Sequence, residues 1–142
     1  MARIGLLEDN ARISKLCATM LNYVGHEVTV YQNAQECLQA LSIQCPSFSQ
    51  IYPSDIEEDT SALPIDVLIL DLHLPIMPGV ELLRILRTSS HTCALPLIFC
   101  TAATHSELYQ AFAIAPDATL VEKPFRLQAL VSAITEVFPA SL

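Results

Sequence analysis

The chain has 142 residues, 52 % of them apolar and none of them Trp. That length fits one domain around one core. Fifteen acidic against seven basic side chains give a net charge of −8, and no Lys or Arg occurs between Lys15 and Arg84. A nucleic-acid surface needs clustered cations to neutralise phosphates, so direct nucleic-acid binding is excluded as an expectation; a cationic partner or a bound metal fits better.

Arg3 to Leu7 is predicted as a short apolar strand that ends in Glu8-Asp9, followed by Asn10. From Ile13 the apolar residues recur at three and four (Leu16, Cys17, Met20, Leu21, Val24), which predicts a helix capped by Asp9 or Asn10 and ended by Gly25. Glu27 to Tyr31 alternates and reads as a second strand. Asn33 is placed to cap a short helix through Ala34, Cys37, Leu38 and Leu41, with Glu36 spaced as in a capping box.

Residues Gln44 to Pro64 break the pattern. They hold three prolines, four serines and the acidic group Asp55, Glu57, Glu58 and Asp59, without a basic residue. A loop of this length is unusual in a compact domain. The expectation is an acidic surface insertion at about 44–64, with Ile51 and Tyr52 as possible anchors.

Val67-Leu68-Ile69-Leu70 reads as a fully buried parallel strand, and it stops on the carboxylate Asp71. The loop Leu72 to Pro78 leads into a helix from Gly79 to Arg87, with Leu82, Leu83 and Leu86 inward and Arg84 and Arg87 on the other side. Leu97 to Thr101 is a fourth strand, ending in a hydroxyl. Thr104 or Ser106 caps the next helix, which carries Leu108, Phe112 and Ala115. Thr119 to Glu122 is a fifth strand, followed by Lys123-Pro124-Phe125, and the last helix carries Leu127, Leu130, Val131, Ile134, Val137 and Phe138. No apolar run approaches the ~18 residues needed to cross a bilayer, and Met1-Ala2-Arg3-Ile4 leads straight into a strand without a signal peptide. Membrane insertion is not expected, and the expected location is cytoplasmic. The five cysteines are odd in number without a C-x-x-C pair, so buried reduced thiols are expected rather than disulfides or zinc ligands.

Strands alternating with helices imply a parallel sheet with right-handed crossovers and helices on both faces. The fold class is α/β, a doubly wound five-stranded sheet in the flavodoxin-like order 2-1-3-4-5, expected as one domain over residues 1–142. In such a sheet the C-terminal strand ends share one edge. That edge would gather Glu8, Asp9, Asp71, Thr101 and Lys123. Three carboxylates together raise one another's pKa values unless a cation sits among them. Hard oxygen ligands suit Mg²⁺, and a carboxylate nucleophile beside Mg²⁺, a hydroxyl and an ammonium is the equipment for phosphoryl transfer to Asp71. Each of these residues alone has an ordinary explanation, such as a helix-end acid or a solvated lysine. Their joint placement at four strand ends is the signal.

These motifs resemble the receiver domain of two-component response regulators over almost the whole chain. The resemblance rests on Leu7-Glu8-Asp9-Asn10, Leu70 to Gly79, Cys100-Thr101-Ala102 and Glu122-Lys123-Pro124-Phe125. It implies that Asp71 accepts a phosphoryl group from a phosphohistidine on a sensor histidine kinase or histidine phosphotransfer protein. It implies a Mg²⁺ site of Glu8, Asp9, Asp71 and the backbone carbonyl of His73, with Thr101 and Lys123 on the phosphoryl oxygens. It also implies a cis bond between Lys123 and Pro124. The protein would then be a stand-alone phosphoacceptor, not an enzyme beyond catalysing its own phosphorylation and dephosphorylation. Its output would pass to a partner through the fourth helix, fifth strand and fifth helix. Two departures stand out: Leu120 occupies a place where the family usually has an aromatic, and the insertion is not in the common pattern. The alternatives are a receiver-like interaction module that takes no phosphate and a haloacid-dehalogenase-type phosphatase. The latter needs a second Asp two residues beyond the nucleophile, where His73 stands.

Overall fold

The computed structural model describes residues 2–41 and 63–137. Five strands and five helices alternate among them: β1 (Arg3–Leu7), α1 (Ala11–Tyr23), β2 (Glu27–Tyr31), α2 (Ala34–Ala40), β3 (Val67–Leu70), α3 (Gly79–Thr88), β4 (Leu97–Thr101), α4 (His105–Ile114), β5 (Thr119–Glu122) and α5 (Leu127–Val137). All neighbouring strands are parallel, in the order β2-β1-β3-β4-β5, as the alternation predicts. The expected anchors Ile51 and Tyr52, and Phe138, lie outside the described residues.

Two apolar layers flank the sheet. Leu7, Leu68, Leu70, Leu97 and Phe99 pack with α2, α3 and α4, whereas Ile4, Leu6, Val67, Ile69, Ile98, Cys100 and Val121 pack with α1 and α5. This is the period-2 alternation of a strand covered on both faces. Each fully buried Leu or Ile contributes roughly 1.5–3 kcal/mol relative to exposure, and all four residues of β3 are fully buried. Gly5 on β1 is needed for close packing. A Cβ there would lie 2.7 Å from Ile65 Cδ1 and 2.9 Å from the Tyr31 ring.

Local signals end the helices largely as read. Asn10 caps α1, its Oδ1 accepting from the amides of Arg12 and Ile13. This leaves Asp9 free of capping duty. Gly25, at φ +100°, follows the Val24 cap. Thr104 caps α4 in a full capping box with Glu107. Asn33 caps α2, but Glu36 reaches past the cap to the amide of Gln32. Arg87 departs from its expected outward place: its Nη1 donates to the carbonyls of Thr92 (3.2 Å) and Leu95 (2.8 Å). Nη2 is buried without a hydrogen-bond partner, 3.5 Å from the Asp117 carboxylate. The amide of Leu95 already donates to Thr92 O at 3.0 Å, so Arg87 adds a second donor there and supplies one to Leu95 O; the long arginine stem lets the head fold back onto both.

Candidate functional site: an acidic pocket at the sheet edge

The strand ladder positions the site before any side chain contributes. The amide of Glu8 donates to Tyr31 O, that of Asp71 to Leu7 O (3.2 Å), and that of Lys123 to Thr101 O (3.1 Å). Each polar residue is therefore held one step past its strand by the sheet itself. The pleat also sorts them. Glu8 continues the series Ile4, Leu6; Asp71 continues Val67, Ile69; Lys123 continues Val121. Counting by two puts all three on the parity of the α1/α5 side. Thr101 has the parity of Leu97 and Phe99 and approaches Asp71 from the other side.

The side chains meet closely. Lys123 Nζ lies 2.9 Å from Glu8 Oε2 and 2.9 Å from Asp71 Oδ2. Thr101 Oγ1 donates to Asp71 Oδ1 at 2.8 Å, and the His73 amide donates to the same oxygen at 3.0 Å. Glu8, Asp71 and Thr101 are 5 %, 7 % and 1 % exposed, so these contacts are largely shielded from water. Asp9 is exposed at the rim. One carboxylate oxygen from each of Glu8, Asp9 and Asp71 falls within 4.8 Å of the others, the only such group of three potential ligands among the described residues.

The electrostatics separate the carboxylates. Burial is the strongest influence on Asp71 and acts to raise its pKa. The His73 amide, the Lys123 ammonium and the Thr101 hydroxyl together outweigh it, and the group is held below the usual carboxylate range. Burial likewise pushes Glu8 up; Lys123 offsets this only in part, and the charge on Asp71 adds to the rise. The difference follows from donors: Asp71 has three, Glu8 one. Burial acts to lower Lys123, but its bonds to Asp71 and Glu8 prevail and the ammonium is strengthened. Asp71 is thus an anion with partners at neutral pH, suited to act as a nucleophile.

Behind the pocket, Gly79 closes the loop. Its amide donates to Leu72 O at 3.1 Å, and its Cα lies so near that a Cβ would stand 2.5 Å from Leu72 Cα. At the rim lies a contact that spacing did not reveal. His73 Nε2 is 2.6 Å from Glu107 Oε2, in the first turn of α4. Residues 34 apart in sequence carry no periodic signal of such a pair. The bond between Lys123 and Pro124 is cis. The described cysteines 17, 37, 93 and 100 are free. Burial pushes Cys37 and Cys100 up to about 12, which leaves them as thiols.

The family model for the response regulator receiver domain matches residues 52–135, more than half of the chain. The chain belongs to the response regulator receiver family. This receiver is 30% identical over 138 residues to the uncharacterized transcriptional regulatory protein YvcP of Bacillus subtilis, covering 96% of this chain and 48% of that protein. It is 27% identical over 133 residues to the response regulator SaeR of Staphylococcus epidermidis, covering 92% and 48%. The chain therefore spans about half the length of the curated relatives it matches. Among solved structures it is similar to the chemotaxis protein CheY4 of Vibrio cholerae, with TM-score 0.72 at 22% identity, covering 97% of this chain and 99% of that one. It is also similar to the receiver domain of the Francisella response regulator 1452, with TM-score 0.73 at 17% identity and full coverage of both. These two show the shared fold. Receivers act in two-component signalling, interact with histidine kinases or phosphotransfer proteins, and bind Mg²⁺ at an acidic pocket. The donor set here fits such an ion: three carboxylates on one rim, two of them already gathered around the ammonium of Lys123.

Proposed function

We propose that Asp71 is the phosphoacceptor of a receiver that takes a phosphoryl group from a phosphohistidine on a sensor histidine kinase or histidine phosphotransfer protein. The observation that carries this reading is the set of donors on Asp71: an ammonium, a hydroxyl and an amide converge on one buried, anionic carboxylate. A carboxylate oxygen of Asp71 attacks phosphorus, the phosphorus–nitrogen bond of the donor breaks, and its electron pair stays on the imidazole nitrogen. Glu8, Asp9, Asp71 and the backbone carbonyl of His73 would hold Mg²⁺. When bound, the ion neutralises charge on the transferring group. Lys123 has two of its three N–H donors on Glu8 and Asp71, which leaves a third for the incoming anion, and Thr101 is within one hydrogen bond of the same place. Burial of Glu8 and Asp71 keeps water from competing with these donors.

The proposal includes a receiver domain over this chain that acts in the cytoplasm as a phosphoacceptor. No helix among the described residues is long and apolar enough to cross a membrane. Its signal would pass by protein contact through α4, β5 and α5, where Tyr109 is 80 % exposed. The chain would catalyse only its own phosphorylation and dephosphorylation. The test is intact mass after incubation with a small phosphodonor and Mg²⁺. One added phosphoryl is expected, lost in Asp71→Asn and in excess chelator. A gain that survives either treatment overturns the assignment.

A further inference from the structure

The proposed chemistry uses the backbone of His73 but gives its side chain no task. That side chain bridges the loop after β3 to the first turn of α4. Its Nε2 lies 2.6 Å from Glu107 Oε2, and the other oxygen of Glu107 accepts from the Thr104 amide (3.3 Å) and hydroxyl (2.9 Å). The same residue's amide donates to Asp71 Oδ1. An unbroken path of hydrogen bonds therefore runs from Asp71 through His73 and Glu107 to the cap of α4.

We infer that Glu107 is a positioning residue for the metal and phosphoryl site, acting through the His73 side chain on the backbone of residue 73. Two backbone groups of His73 serve the site in the reading above, on which this inference rests: the amide on Asp71 and the carbonyl assigned to Mg²⁺. The loop from Leu72 to Pro78 is pinned at its far end where Gly79 meets Leu72. At its near end the ring of His73 is the side-chain handle, and Glu107 holds it. Glu107 is itself fixed by the Thr104 cap, so the loop is referred to a helix rather than to solvent. Outer partners that orient a ligand in this way change metal affinity when removed. The coupling is reciprocal, because two linked binding events share one free energy. Ordering residue 73 at the site must also steady the first turn of α4. Few core contacts hold α4 as a whole: Ala111 is its one fully buried residue.

The test is a double-mutant cycle on Mg²⁺ affinity, read from amide NMR shifts at His73 and Thr101, with His73→Ala, Glu107→Ala and both together. Both side chains are exposed or nearly so, and each variant keeps the His73 backbone. Each single change is expected to weaken Mg²⁺ by about tenfold, and the double change by no more than either. Losses that multiply, or single variants that bind like the parent, overturn the inference while leaving the proposed function intact. A parent chain that binds no Mg²⁺ overturns both. The unmodified chain gives a second readout: Mg²⁺ should slow amide exchange at Glu107 and Leu108. Unchanged exchange there, with Mg²⁺ bound, also overturns the inference.

Discussion

At the scale of single residues, Glu8 and Asp71 show how the same side-chain chemistry is tuned apart by its donors. Asp71 is stabilised as an anion by three donors, whereas Glu8 shares one ammonium. Glu8 has a folded-state pKa above its ordinary value, so its ionisation opposes folding as pH rises through that value; below the ordinary value the effect is absent. Glu8→Gln should accordingly stabilise the metal-free protein at neutral pH, by about 1 kcal/mol, while weakening Mg²⁺ binding. The gain should shrink as pH falls through the raised folded pKa of Glu8 and vanish below its ordinary value. Thermal melts of both proteins in chelator across that range check it, and a variant less stable than the parent at pH 7 would contradict the account. Lys123 sits between the two acids yet is expected to matter more for the response than for the fold. Lys123→Ala should melt cooperatively but show no spectral response to beryllofluoride, and a variant without a cooperative transition would make Lys123 a structural partner instead.

At the scale of elements, the short loop between β3 and α3 decides how Asp71, the proposed phosphoacceptor, is presented. Pro78 gives α3 no side-chain cap, and the helix instead begins by pressing Gly79 against the Leu72 backbone. A methyl at residue 79 would meet backbone atoms, which cannot turn aside as a side chain could. Gly79→Ala is expected to cost about 2 kcal/mol, the range of an overpacked site. It should also slow phosphoryl acceptance, since Asp71 and His73 belong to the displaced loop. Urea denaturation and the rate of mass gain check the two halves separately. The end of α3 is fastened differently, by Arg87 on the carbonyls of Thr92 and Leu95 and by Thr92 Oγ1 on Leu86 O at 2.6 Å.

At the scale of the whole molecule, the sheet is a rigid floor with unequal helices on it. α3 buries Leu82, Leu83 and Leu86, whereas α4 buries Ala111 and otherwise leans on the partly buried Leu108 and Phe112. Phe112 meets Phe99 of β4 edge-on at 5.2 Å. A phosphoryl group on Asp71 offers Thr101 a stronger, charge-assisted partner. Displacement of Thr101 would then be felt first by the loop after β4 and by α4. Leu120, half-buried against the same layer, lacks the polar tip of an aromatic such as Tyr and has little reason to change place. Hydrogen exchange with and without beryllofluoride should therefore differ over Ala102 to Phe112 and hardly at all at Leu120. Changes confined to β5 would refute this order of events.

The sequence by itself determined the elements and the edge on which the chemistry gathers. Buried strands announce themselves as apolar runs, and a polar residue ending each run marks the strand end; Glu8, Asp71, Thr101 and Lys123 were all legible in this way. The period of two along a strand places Glu8, Asp71 and Lys123 on one parity and Thr101 on the other. What only the tertiary structure decided is which groups touch. Lys123 reaches Glu8 across 115 residues of sequence and Asp71 across 52, and His73 meets Glu107 across 34. Local periodicity fixes where a Cα stands, but a contact of 2.9 Å between side chains depends on rotamers, on the crossing of elements and on which neighbour offers the better partner. The same holds for Arg87, which the helical pattern placed in solvent. The carbonyls of Thr92 and Leu95 in the next turn drew it inward, the first already accepting from the Leu95 amide, and this meeting becomes visible only once the chain has folded back on itself.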